Sequence, residues 1–184
     1  AGDISEDQAA QQIAKSVSGA HVSTSAAVTG RVNLYAEVRG LVIVDCDRLN
    51  RVNQVDEAIT VAAVSPFELV EAKQIIATIK IIPFAVADAI IDAASDLARG
   101  TPSDDCLIRI APLAHQQFGL VQTRLSGTKE SVLDKTSAVT TARLESLGSR
   151  ISTEVRCDHR IENVAAAITE MRTQNMDIVL ISGA

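Results

Sequence analysis

Apolar positions recur at two different periods along the chain, and the places where the period changes predict its elements. Ile4, Ala10, Ile13, Ala14 and Val17 keep the three-and-four spacing of one helix face. Ser5 and Gln8 frame its start as a capping box, in which the hydroxyl accepts an orphan amide three residues on and the glutamine reaches back. Glu6 and Asp7 suit the positive end of the helix dipole, and Gly19 ends the helix. Over residues 21–45 the pattern changes to short apolar runs, broken at Thr29-Gly30-Arg31 and Arg39-Gly40, the punctuation of strands joined by turns. Residues 47–55 read as a short helix, 59–64 and 73–84 as further strands, and 85–99 as a helix closed by Gly100.

The stretch GTPSDD, residues 100–105, has linker composition and marks a domain boundary. Beyond it CLIRIAPL and FGLVQT read as strands, 130–147 as a helix ended by Gly148, SRISTEVR as a strand, 161–172 as a helix and DIVLIS as a last strand. Strands alternating with helices of this length imply parallel β-α-β crossovers. The expected fold class is therefore α/β. A doubly wound, mainly parallel three-layer sheet fills the C-terminal half, residues 101–184, preceded by a smaller α+β domain over residues 1–100. A sheet of that kind with three or four strands and no helix after the last is incomplete, and the chain opens on Ala1 rather than Met. The expectation is a piece of something longer.

Composition narrows this picture. Hydrophobic residues make up 47% of the 184, aromatic residues 2%, and Trp is absent. The core must be built from Ala, Val, Ile and Leu, which suits strands buried on both faces. The net charge of −6 and the pI near 5.0 lack the domain-wide basic field of a nucleic-acid binder, and so few aromatics offer no stacking platform for bases. Cys46, Cys106 and Cys157 are odd in number and without a C-x-x-C spacing, so neither a zinc site nor a disulfide frame is expected. Free thiols point to a reducing, cytoplasmic setting. No apolar run reaches the roughly 18 residues of a membrane span, and no signal peptide is visible. A membrane partner is not expected.

In open α/β sheets, ligands sit outside the carboxyl ends of the strands, and three such ends can be read. The first is TRLSGTKES, residues 123–131, with Arg124 and Lys129 flanking Ser126, Gly127 and Thr128. Helix N-terminal amides attract anions, and glycine lets a phosphate approach closely; the plainer reading is a capped turn. The second is RCDHR, residues 156–160, where Asp158 is suited to a metal or a hydroxyl and His159 to a substrate hydrogen bond. Against that, Asp158 also reads as an N-cap. The third is Ser182-Gly183-Ala184, a phosphate cradle or a simple turn. No Walker loop and no G-x-S-x-G elbow occurs. Lys80 reads as solvated or acid-paired, His21 and His115 have no partner at ligand spacing, and Cys157 reads as an inert thiol.

TRLSGTKESVLDKTSAVTTARLESLGSRI, then IENVAAAITEM, then DIVLISGA resembles the molybdopterin-binding domain of molybdenum cofactor biosynthesis proteins, the MogA/MoeA type. TGRVNLYAE, LNRVNQVDEAIT and ATIKIIPFAV resemble the region that precedes this domain in a bacterial subgroup, so the resemblance covers most of the chain. It implies a doubly wound fold and molybdopterin as the cofactor, a small phosphorylated pterin held at strand ends. Mg²⁺ and a nucleotide would join it where the protein turns over, and a homo-oligomer or other proteins of the cofactor pathway are its implied partners. Carried over residue by residue, Ser126, Gly127, Thr128 and Lys129 line the first loop with Arg124, and Ser182, Gly183 and Ala184 the third. The acidic residue of the second loop falls on Asp158 or His159, and Asp158 is the candidate catalytic group. Where the family reads Gly-Gly-Thr-Gly, this chain reads Ser-Gly-Ala. That departure weighs against adenylyl transfer or molybdate insertion more than against binding. A non-catalytic carrier, sensor or scaffold with the same fold is the alternative. A generic nucleotide-binding enzyme is a third, and the absence of G-x-G-x-x-G counts against a dinucleotide.

Overall fold

The structure, a computed structural model, describes residues 2–101 and 105–183. The chain divides into two compact units, Ala1–Pro112 and Leu113–Ala184. Among the described residues there are five helices and twelve strands, and most strand pairs are antiparallel.

The first unit opens with β1 (Asp3–Ser5) and α1 (Glu6–Val17). The capping box forms as the sequence predicts, with Ser5 accepting from the Gln8 amide and Gln8 returning to the Ser5 amide. The face that α1 buries is Ala9, Ala10, Ile13, Ala14 and Val17. There follow β2 (Val22–Thr24), β3 (Arg31–Ala36), β4 (Gly40–Val44), α2 (Cys46–Asn53), β5 (Ile59–Ala63), β6 (Leu69–Val70), β7 (Ile75–Ile81), β8 (Ala85–Ala87), α3 (Asp88–Arg99) and β9 (Ile108–Pro112). They form an antiparallel sheet β2-β3-β7-β5, a second antiparallel sheet β6-β4-β9 and the pair β1-β8. Strand alternation turns Val32, Leu34, Ile79 and Ile81 into the core beneath α1. Each such side chain, fully buried, stabilises by roughly 1.5–3 kcal/mol.

The sequence places CLIRIAPL in the second half; the structure does not. Its strand, β9, pairs antiparallel with β4 from Gly40↔Pro112 to Val44↔Ile108, because Ile108 and Ile110 are buried in the first core. The first unit therefore extends past GTPSDD to residue 112 and is the larger of the two, not the smaller. Residues 102–104 of that stretch lie outside the described residues.

The second unit consists of β10 (Gln117–Arg124), α4 (Glu130–Ser146), β11 (Arg150–Asp158), α5 (Ile161–Thr173) and β12 (Ile178–Ser182). Its sheet has three strands, all parallel, in the order β11-β10-β12. The central strand β10 is buried without a break from Phe118 to Thr123, as a strand covered on both faces must be. On one face the Gln122 amide donates to the Leu133 carbonyl and the Ser137 hydroxyl, both of α4. On the other, Val121 packs with Ala167 and Met171 of α5. The two helices thus cover opposite faces.

Candidate functional site

Because the three strands of the second unit run in one direction, their carboxyl ends share a rim. Arg124 stands opposite Asp158, and Gln122 opposite Ser182. Thr123, buried at the end of β10, joins all three strands: its Oγ1 lies 2.9 Å from His159 Nδ1 and 3.5 Å from the Ser182 carbonyl oxygen. Between the loops is a cavity of about 510 Å³, with residues 124–128 and Glu130 on one side and residues 158–160 on the other.

The loop after β10 is a tight turn. The Thr128 amide donates to the Leu125 carbonyl at 3.1 Å, and the Leu125 amide donates to Thr128 Oγ1 at 3.1 Å. Gly127 takes φ +89°, the left-handed value that the third position of such a turn requires. A Cβ added there would meet nothing within 4 Å, so the position is open to a ligand. Lys129 then precedes α4 without any side-chain cap, and Arg160 precedes α5 in the same way. Asp158 is not the cap of α5. Its carbonyl accepts the Arg160 amide at 2.7 Å, while its carboxylate turns to Arg124 Nε at 3.4 Å. Both helices therefore begin beside the rim with first-turn amides that no side chain satisfies.

The electrostatics divide the basic residues into two groups. Arg124 is held by two carboxylates, Asp158 and Glu130, the latter at 3.1 Å. Arg156 is held by three, Glu154 at 2.7 Å, Asp134 at 2.8 Å and Glu130 at 2.8 Å. These partners, Glu154 first, then Asp134 and Glu130, raise the pKa of the Arg156 guanidinium. Burial pushes the Glu154 carboxyl up, but hydrogen bonds from Ser137, Arg156 and Gln122 outweigh it and hold the group below its ordinary value of 4.5. By contrast, Arg160 and Lys129 have no ion-pair partner among the described residues.

Of the residues expected at the site, Arg124, Ser126, Gly127, Thr128, Asp158 and His159 line the cavity. Lys129 is exposed beside it rather than in its wall. Ser182 reaches the rim through its carbonyl, and a Cβ on Gly183 would lie 3.8 Å from Thr123 Oγ1. Ala184 lies outside the described residues. Thr123, Glu130 and Arg160 lie within the two loops that the sequence marks, 123–131 and 156–160, but nothing in the sequence singles them out there. The register of a parallel sheet brings Thr123 to His159, and no short motif carries that information. Lys80, weighed as solvated or acid-paired, donates to the Thr29 carbonyl.

Among the described residues no three His, Cys, Asp or Glu side chains gather in a way that would hold a metal ion, and no helix is long and apolar enough to cross a membrane. Comparison with family models, curated proteins and solved structures gives no match.

Proposed function

We propose that the chain binds molybdopterin and acts in molybdenum cofactor biosynthesis, with the terminal phosphate of the pterin held at the carboxyl ends of the parallel sheet. The observation that carries this reading is the pair of uncapped helix starts, α4 and α5, on either side of one cavity whose wall includes Arg160, a cation with no ion-pair partner among the described residues. Helix starts that no side chain caps, beside such a cation, are what a phosphate dianion needs. The sheet itself supports the finer fold reading. Strand order β11-β10-β12 with helices on opposite faces is an arrangement that doubly wound three-layer sheets use, and such sheets bind ligands outside the carboxyl ends of their strands.

The residues fit the pterin phosphate. The Ser126 and Gly127 amides with the Ser126 and Thr128 hydroxyls would hold it, Gly127 would allow close approach, and Arg160, with Lys129 at the edge, would neutralise it. His159, fixed by Thr123 through one ring nitrogen, keeps the other for the ligand. Arg124 arrives already neutralised by Asp158 and Glu130, so its part is to hold the two loops together.

Binding without turnover is favoured over adenylyl transfer, because Asp158, the candidate catalytic group, is engaged by Arg124. Turnover would add Mg²⁺ and a nucleotide; a carrier or sensor needs neither. The free thiols Cys46, Cys106 and Cys157 support a reducing, cytoplasmic setting.

Titration of the protein with molybdopterin tests the proposal. Saturable binding is expected. Arg160→Ala should weaken it by about tenfold, the worth of a charge-assisted hydrogen bond, and Lys129→Ala by less. An absence of saturable binding by the unaltered protein would end this reading.

A further inference from the structure

A second cavity, of about 380 Å³, meets the first at His159 and Arg160, which line both. Its other walls are Ile161, Val164, Ala165 and Ile168. These four positions follow the i, i+3, i+4, i+7 rule and form one stripe of α5. They are not the stripe that anchors the helix, because Ala167 and Met171 fill the core beneath it. Helix α5 therefore carries a second apolar stripe beside its buried one, with Val164 and Ile168 half-buried and Ile161 and Ala165 exposed. Ile161, its first residue, is 84% exposed.

We propose that this stripe is a shelf for one face of the flat ring of the same ligand whose anionic group occupies the first cavity, with the polar edge of the ring left to solvent. The inference rests on the anion-site reading above and says where the rest of the ligand lies. Three features favour a small phosphorylated ring over a protein partner. The shelf is continuous with the anion cavity through His159 and Arg160. Each cavity has the volume of a small-molecule site, roughly 300–1,000 Å³. At the junction stands Arg160, whose planar guanidinium can face a phosphate with its edge and a ring with its face.

The test compares two probes on the full chain, inorganic phosphate and 1-naphthyl phosphate, by titration calorimetry. Naphthyl phosphate should bind about tenfold more tightly or better, the gain from burying some tens of Å² of ring. Ile161→Ser and Ala165→Gln, both uncharged changes at exposed positions, should each remove at least threefold of that gain and leave inorganic phosphate within twofold of the unaltered protein. Equal affinity for the two probes would overturn the shelf while leaving the anion site in place. So would equal losses for both probes in the variants. No binding of either probe by the unaltered protein would overturn the shelf together with the anion site.

Discussion

In residues 2–112 the chain buries an unbroken aliphatic cluster that includes Ala9, Val32, Val61, Ile79 and Ile110, whereas in residues 113–183 the corresponding cluster is Val121, Ala167 and Met171 with half-buried neighbours. The second unit relies on directional contacts instead. Gln122, buried in the central strand, and the half-buried Ser137, Glu154 and Arg156 form a hydrogen-bonded chain beside the sheet. Apolar burial is tolerant of detail and stabilises in proportion to area. A buried polar network stabilises only when its members are satisfied, and Gln122 Oε1 has no hydrogen-bond partner among the described residues. The first unit is thus held by one continuous apolar core. The second places charged and polar groups close to the shared strand-end rim at the expense of core.

The largest test of this contrast uses two glycines, both at close approaches. A Cβ on Gly40 would lie 2.3 Å from the Ala111 carbonyl oxygen, a backbone atom fixed by the β4–β9 ladder. A Cβ on Gly119 would lie 1.9 Å from Met171 Sδ, on a side chain with three rotatable bonds. Gly40→Ala should cost about 3 kcal/mol or more and Gly119→Ala about 1–2 kcal/mol, read from denaturant unfolding. Combining Gly119→Ala with Met171→Val should cost less than the sum of the two. Equal costs, with no coupling to Met171, would show that the second unit is packed as rigidly as the first.

The next test is specific to the polar network. Glu154 titrates below its ordinary value in the folded chain. Its contribution is therefore complete above the unfolded value and is lost as pH falls through the lower folded one. Unfolding of the second unit should become easier below about pH 4.5, and Glu154→Gln should flatten that acid limb. At neutral pH the same substitution should cost about 1–3 kcal/mol, the range for hydrogen bonds to a charged group. An acid limb unchanged by Glu154→Gln would place the pH dependence elsewhere.

How much of this could be read from the chain follows the same division. Elements whose signals are local were legible. The Ser5–Gln8 box opens α1, the apolar runs mark β7 and β10, and the three strand-end loops of the second unit do meet. What depends on pairing partners was not. Nothing in CLIRIAPL says that its partner is Gly40–Val44 rather than a strand of the later half, because β9 alternates apolar and half-exposed residues as either would. Asp158 resembled a helix cap because its distance to Ile161 suits one, and only the Arg124–Asp158 register shows that its carboxylate is used sideways. Gln122 was the one overlooked local signal, a polar residue within an otherwise apolar buried strand.

The smallest expected effect sharpens the comparison most, because its sign separates two roles for one residue. Asp158 and Arg124 are partly exposed, with side-chain accessibilities of 63% and 43%, and exposed pairs are worth only about 0.2–1 kcal/mol. If Asp158 serves to position and neutralise Arg124, then Asp158→Asn leaves Arg124 held by Glu130 alone and removes one negative charge from the cavity wall. Affinity for inorganic phosphate, measured without divalent cations, should then rise by about two- to fivefold. If Asp158 instead binds the ligand through a metal, the same substitution should weaken binding, and only when Mg²⁺ is present. Phosphate titrations of the two proteins with and without Mg²⁺ distinguish these outcomes. A fall in affinity that depends on Mg²⁺ would make Asp158 a partner of the metal and overturn its role as the positioner of Arg124.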